Sequence, residues 1–461
     1  MNILEAMHDP NLFGRWFAGN TWAAWEVLLS SLFGLPLSPN QVETYRRHTQ
    51  RTTPPTQPSR EAWLVVGRRG GKSLISALAA VYLACFGDHS SILAPGERAT
   101  VMVIAADRKQ ARVVFRYISG LIDGVPMLAA MIEHRTKDHI ALTNRIVIEV
   151  HTASYRAIRG YTIVAAVCDE IAFWRSEDSA NPDIEILNGL RPGMATVPRA
   201  MLLCISSPHA RRGALWEAHH RHFGKDGDPV LVWQADTISM NPSVDMQIIS
   251  DAYLEDEASA AAEYGAEFRR DVESFVSREA VEAVIVLGRF ELPPNREIRY
   301  RAFVDPSGGS SDSMTQAIGH REDGSVILDA LRESKPPFSP AQVVKECSSL
   351  LDRYCIHEVT GDRYGGDWPR EQFRNRGIRY ELSDLPKTDL YRELLPSINS
   401  ARIELLDHPR LFNQLLSLER RTARGGRDSI DHPPQGHDDL ANVVAGVSYL
   451  LEKKQCNPFF F

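Results

Sequence analysis

The 461-residue sequence has no uninterrupted apolar run of about 18 residues, so it offers no membrane-spanning helix. Its opening residues, MNILEAMHDP, carry acids and a proline where a secretory signal would be basic and then apolar. The chain is therefore expected to stay in the cytosol of the cell that makes it. The six cysteines (Cys85, Cys168, Cys204, Cys347, Cys355 and Cys456) are scattered without a CxxC pair. That argues against a disulfide framework or a zinc site, and several of them sit in apolar runs as small core residues. Positive charge is not in excess either: 52 Lys and Arg stand against 59 Asp and Glu, a net charge of −7. A protein that coats nucleic acid is usually basic, so any DNA contact here must be local or transient. Internal repeats and long low-complexity tracts are also missing.

What remains is an ordinary globular composition, 43% hydrophobic and 24% charged. At roughly 100–200 residues per domain, the length allows two to four domains. Residues 1–50 read as helical and aromatic-rich, ending in the polar stretch RTTPPTQPSR (51–60). Apolar strand-like runs follow at AWLVV (62–66), TVMVIAA (100–106), RIVIEV (145–150), TIVAAVC (162–168) and AMLLCIS (200–206). Helical stretches at 73–86 and 107–123 lie between some of them. Continuous apolar strands alternating with helices predict an α/β fold with a parallel sheet covered on both faces. Residues 241–298 change character, from an acidic, Ala-rich helix to ELPPNRE (291–297), and read as a linker. A second set of strands and helices starts at YRAFVDP (300–306) and ends in a helix from about 438 to 452. This divides the chain into 1–240, 241–298 and 299–461.

The first of these regions carries a chemical motif. AWLVV runs into GRRGGKS (67–73), which opens an apolar helix. A strand, a Gly-rich loop and Lys-Ser at a helix start is the setting of a phosphate-binding loop, whose amides and helix terminus hold phosphate oxygens. Lys72 would then contact the β- and γ-phosphates, and Ser73 would ligate Mg²⁺. The usual first Gly is replaced by Val66. Downstream, TIVAAVCDE ends a strand in Asp169-Glu170, where Asp169 suits the Mg²⁺ shell and Glu170 suits polarisation of the attacking water. AMLLCISSP ends in Ser206-Ser207-Pro208, placed either to sense the γ-phosphate or simply to turn the chain. The second region of interest is acidic. Asp305 ends YRAFV, Asp362 ends EVTG, and Asp438-Asp439 opens the last helix in GHDDLANVVAG. Converging carboxylates repel unless cations join them. Two Mg²⁺ or Mn²⁺ about 3.5–4 Å apart would activate water and stabilise the leaving oxygen in phosphodiester cleavage. Two of these acids also have a plainer reading: Asp438 as a helix cap and Asp305-Pro306 as a turn. Asp312 and His437 are weaker candidates.

An ATPase of this kind followed by a three-acid nuclease resembles the large terminase subunit of tailed bacteriophages, over nearly the whole chain. LSPNQ (37–41) looks like that family's adenine-contacting motif, which assigns Gln41 to the base. GRRGGKS resembles its deviant Walker A loop, giving Gly67, Arg68, Arg69, Gly70, Gly71, Lys72 and Ser73 to the nucleotide and accounting for Val66. AAVCDE is similar to its Walker B strand, and ISSP to its coupling motif, with Ser207 at the nucleotide. VDPSGGSSDS, TGDRYGG and GHDDLA look like the metal-binding motifs of its nuclease. The resemblance implies an ASCE/RecA-like ATPase domain, a lid segment within 241–298 and a C-terminal RNase H-like endonuclease domain. It also implies Asp305, Asp362 and one or both of Asp438 and Asp439 as metal ligands. Arg159, just before the Walker B strand, looks like the family's candidate arginine finger, donated in trans.

As cofactors the resemblance implies ATP with Mg²⁺ for the motor and two Mg²⁺ or Mn²⁺ for the nuclease. As partners it implies double-stranded DNA, a portal protein, a small terminase subunit and further copies of the chain in a ring on the procapsid, with no membrane. The place of action is the host cytoplasm. Two other readings stay open: an ATP-dependent repair or restriction nuclease unconnected to a capsid, and an assembly protein with decayed sites.

Overall fold

The computed structural model describes residues 1–153, 158, 160–174, 182–307, 312–362, 368–422, 428–433 and 436–453. The chain forms two compact units, the first running to Arg270 and the second starting at Asp271. That division falls inside the 241–298 stretch. Residues on its near side pack with the first unit, where the Thr237 amide donates to the Tyr264 carbonyl at 2.8 Å.

The first unit is built on a sheet whose described strands are β1 (Glu61–Val66), β2 (Ala99–Ala105), β3 (Ile132–Arg135), β4 (His139–Leu142), β5 (Ile146–Thr152), β6 (Thr162–Asp169), β7 (Met201–Ser206) and β8 (Val230–Ala235). They lie in the order β3-β4-β5-β2-β6-β7-β1-β8. From β5 to β8 every pairing is parallel. These strands are apolar on both sides because helices cover both faces; β2 is buried at every position. The five strand-like runs of the sequence fall on β1, β2, β5, β6 and β7. The β3–β4 ribbon pairs antiparallel onto β5 and ends the sheet on that side. One strand, β7, separates the phosphate-loop strand β1 from β6. This brings the carboxyl ends of β1, β6 and β7 to one edge, where ligands of open parallel sheets bind.

The second unit contains β9 (Val272–Ser274), β10 (Ile285–Val286), β11 (Arg301–Asp305), β12 (Met314–Glu322), β13 (Ser325–Ser334), β14 (Glu358–Gly361), β15 (Arg379–Leu382), β16 (Ile403–Leu406), β17 (Glu419–Thr422) and β18 (Asp428–Asp431). Its main sheet runs β10-β16-β13-β12-β11-β14-β15. β11, β12 and β13 are antiparallel neighbours, whereas β11, β14 and β15 are parallel. The sheet is thus mixed, and of its central antiparallel strands β12 is not evident in the apolar pattern of the sequence. Alternation along β11 sorts two cores. Phe303 joins the core with the C-terminal helix Asp439–Glu452, while Ala302 and Val304 face the core with the helix Pro340–Arg353. β9, β17 and β18 form a separate small sheet.

Candidate functional site

In the first unit, β1 passes into Gly67-Arg68-Arg69-Gly70-Gly71 and then into the helix Lys72–Cys85. Arg69 and Gly71 have φ of 65° and 97°. The Gly71 conformation excludes most side chains and turns the loop into the helix N-terminus, where unpaired amides favour an anion. Two neighbours fix the loop from outside. The buried Trp25 indole donates to the Gly70 carbonyl at 2.8 Å, and Asn241 donates its amide to the Arg69 carbonyl at 2.9 Å. Arg68 is tied to Glu263 at 2.7 Å. Ser73 stands at the second helical position, half-buried.

Lys72 is 6% exposed, and its ammonium donates to the Val66 carbonyl at 2.8 Å, the Gly67 carbonyl at 3.3 Å and Ser207 Oγ at 2.9 Å. Burial pushes its pKa down, and the Glu170 and Asp169 carboxylates oppose that push. Glu170 Oε1 lies 3.6 Å away. Burial, reinforced by the Glu170 charge, raises the Asp169 carboxyl to about 7. Asp169 Oδ1 is buried with no hydrogen-bond partner among the described residues. A buried acceptor of this kind, beside a lysine at a phosphate-type loop, is the donor set a Mg²⁺-nucleotide needs. Glu170 itself sits in the left-handed region at φ 49° and ψ 46°. Such a conformation costs of order 1–3 kcal/mol in a non-glycine residue and tends to cluster at active sites. It aims the carboxylate back across the sheet edge, where Oε2 accepts from Ser206 Oγ at 2.9 Å and from the Ser207 amide at 3.2 Å. Ser207 thus links Lys72 to Glu170. Gln41 lies at the start of the helix Pro39–Thr49, and its Oε1 accepts from the Ser38 amide at 2.9 Å in a capping box. Arg159 lies outside the described residues.

The second cluster forms where β11 and β14 end side by side. The Asp362 amide donates to the Val304 carbonyl at 3.3 Å, which puts Asp305 and Asp362 next to each other at one sheet edge. The C-terminal helix starts over this edge. Gly446 allows it to lie close, since a Cβ there would clash with the Phe303 ring. Burial and the neighbouring acids Asp362, Asp439 and Asp438 raise the Asp305 carboxyl to about 8, against the help of a hydrogen bond from Asn442. Burial and Asp438 raise Asp439 to about 6. Asp439 Oδ2 is buried without a hydrogen-bond partner among the described residues. Carboxyls crowded until they resist ionisation, with an orphaned oxygen among them, suit divalent cations, which supply the missing charge.

The structure separates Asp438 from Asp439. Asp438 is the helix N-cap residue, yet its side chain makes no capping bond. Its Oδ2 accepts instead from the Tyr391 hydroxyl at 2.8 Å and lies 3.1 Å from the Lys387 ammonium. Lys387 also reaches Asp431 at 2.6 Å. Burial works against the charge on Lys387, but Asp438 and Asp431 outweigh it and raise its pKa. Asp431, His432 and Asp438 place ligand-type atoms within 4.8 Å of one another, and Lys387 is the cation already among them. Asp312 is exposed in the loop after β11, and the exposed His437 lies 3.9 Å from Asp439. Sequence reasoning did not single out Asn442, Lys387 or Tyr391. Asn442 had a signal: it is the one strongly polar side chain in the run LANVVAGV and sits one turn beyond the two acids. Lys387 and Tyr391 had none, because only the tertiary fold brings them there.

No protein-family model matches the chain, and no curated protein does. Solved structures do. The large terminase of bacteriophage HK97 is 15% identical, with a TM-score of 0.39, over 90% of this chain and 95% of that one. The large terminase of a thermophilic bacteriophage is 12% identical, with a TM-score of 0.37, over 90% and 99%. The large terminase nuclease of the thermophilic phage G20c is 18% identical, with a TM-score of 0.34, over 38% of this chain and 97% of that one. The chain is thus similar to phage large terminases along most of its length, and to a terminase nuclease over part of it.

Proposed function

We propose that the chain is a terminase large subunit, which drives double-stranded DNA into a procapsid with ATP and cuts concatemeric DNA with divalent metal. The observation that carries this reading is the presence of two clusters of charged side chains at strand ends in two units of one chain. One joins Lys72, Asp169, Glu170 and Ser207 at the edge of a parallel sheet. The other joins Asp305, Asp362 and the start of the C-terminal helix.

In the first site, Lys72 would leave the Val66 and Gly67 carbonyls for phosphate oxygens, while the loop amides and helix terminus hold the rest of the phosphate chain. Asp169 and Ser73 would hold Mg²⁺, and Gln41 would face the adenine. Glu170 would orient the attacking water and take its proton. Ser207, bonded to Lys72 and to Glu170, is placed to report the state of the γ-phosphate to β7. Glu170→Gln should keep ATP binding but slow turnover by about 10²–10⁴, the usual worth of positioned acid–base help. Single-turnover hydrolysis measures this, and near-normal turnover would move the base elsewhere.

In the second site, Asp305, Asp362 and Asp439, with Asp438 beside them, would hold the metal ions. When bound, those ions supply an activated water and charge for the leaving oxygen. Lys387 and Tyr391 hold Asp438 in place. Residues 241–298 would act as the lid, Arg159 as a finger toward a neighbouring subunit, and the portal, small subunit and ring as the assembly around them in the host cytoplasm. No helix among the described residues is long and apolar enough to cross a membrane.

The purified chain should show ATPase activity that rises with DNA and rises further with portal, together with Mn²⁺-dependent cleavage of plasmid DNA. Cleavage and ATPase that ignore portal would favour a repair or restriction nuclease.

A further inference from the structure

Between Leu440 and Val447 the C-terminal helix buries only apolar side chains and glycine, with one exception, Asn442, which is 1% exposed. Its Nδ2 donates to Asp305 Oδ2 at 2.7 Å and to Asp362 Oδ2 at 3.3 Å. Its Oδ1 is buried with no hydrogen-bond partner among the described residues. A leucine would occupy a similar volume on this apolar face without leaving an orphaned acceptor, so packing does not explain an asparagine here. The side chain's place is fixed. The Asn442 amide donates to the Asp438 carbonyl at 2.8 Å, and the two acids are held together by the β11–β14 pairing.

An ionised carboxylate has about four lone-pair positions. Asn442 takes one on each of two carboxylates from the helix side. The amide hydrogens also place partial positive charge between two acids that would otherwise repel each other apart. We propose that Asn442 is a positioning residue of the nuclease site, which holds Asp305 and Asp362 convergent and so sets the affinity for divalent metal. The inference rests on the nuclease reading of this cluster.

The test titrates Mn²⁺ into the full chain by calorimetry and follows ATPase in parallel. Asn442→Leu should weaken Mn²⁺ binding by about 10–100-fold, the usual effect of losing a partner that orients metal ligands. ATPase activity should be unchanged. Unaltered Mn²⁺ affinity in a folded Asn442→Leu chain would overturn the proposal, since a merely structural asparagine would alter melting but not metal affinity. If that variant does not fold, Asn442→Ala takes its place. It removes the donor without adding a ligand, so Mn²⁺ should raise its melting temperature less than it raises that of the unaltered chain. An equal rise would overturn the proposal. Asp305→Ala separates the two levels of the argument. If it binds Mn²⁺ normally, the nuclease reading falls and the inference with it. If it loses Mn²⁺ binding while Asn442→Leu keeps it, only the role of Asn442 falls.

Discussion

Lys72→Ala is expected to abolish measurable ATP hydrolysis while leaving Mn²⁺-dependent plasmid cleavage intact. The ammonium is buried, and it joins the loop carbonyls of Val66 and Gly67 to Ser207 and, at 3.6 Å, to Glu170. Removing it takes away the side-chain charge nearest to where phosphate charge would develop. A single preorganised donor at such a point is worth about 10²–10³ in rate, and a charged one is stronger than a neutral one. The loss should also weaken nucleotide binding, because the acids Asp169 and Glu170 would face the phosphates without their counter-charge. Phosphate release with and without DNA, beside a plasmid-nicking assay, measures both activities. Loss of both in a variant that melts normally would contradict two independent sites.

The mirror result is expected for Asp305→Ala: no cleavage and normal ATPase. Asp305 stands between Asp362 on the neighbouring strand and the start of the C-terminal helix, and its carboxyl is raised to about 8 by burial and by these acids. It thus depends on a nearby cation to be charged at neutral pH. Metal stabilisation of a transition state is worth several kcal/mol, and each ~1.4 kcal/mol is tenfold in rate. A loss of about 10³ or more should leave cleavage undetectable. Asp362→Ala should follow it. Asp438→Ala and Asp439→Ala should differ in kind. The first releases Lys387 and Tyr391 from their shared partner, whereas the second removes a buried carboxylate oxygen that has no hydrogen-bond partner among the described residues. Normal cutting by Asp362→Ala would exclude the cluster as the nuclease.

The sequence made much of this readable, for physical reasons. Strands buried on both faces must be apolar throughout, so β1, β2, β6 and β7 stand out as runs, and the residues ending them, Val66, Asp169 and Ser206, are marked as sheet-edge residues. The same rule marked Asp305 at the end of β11, whereas Asp362 follows the short, half-exposed β14 and stood out by the Gly-rich run after it. Strand β13 stood out as the run SVILDALRE, but its partner β12 was not legible, because MTQAIGHRE interleaves polar residues with its apolar ones. β8 hid for a different reason: its run VLVWQA follows an irregular polar stretch and carries no chemical motif. Nor could spacing tell Asp438 from Asp439. Their difference comes from Lys387 and Tyr391, brought from a helix some distance away in sequence. The strained backbone of Glu170 is likewise invisible in the letters DE.

The contact of Gly446 with Phe303 has a mechanical meaning for the nuclease site. Asn442, Asp438 and Asp439 ride on a helix whose distance from β11 is fixed at Gly446, one turn beyond Asn442 and away from the acids themselves. The helix is in effect a rigid arm resting on a hard stop, and the acids sit at its tip. A methyl group added at that stop would lift the arm and part the helix acids from the strand acids together, so a change that touches none of these acids would reset the gap in which the proposed metal ions would fit.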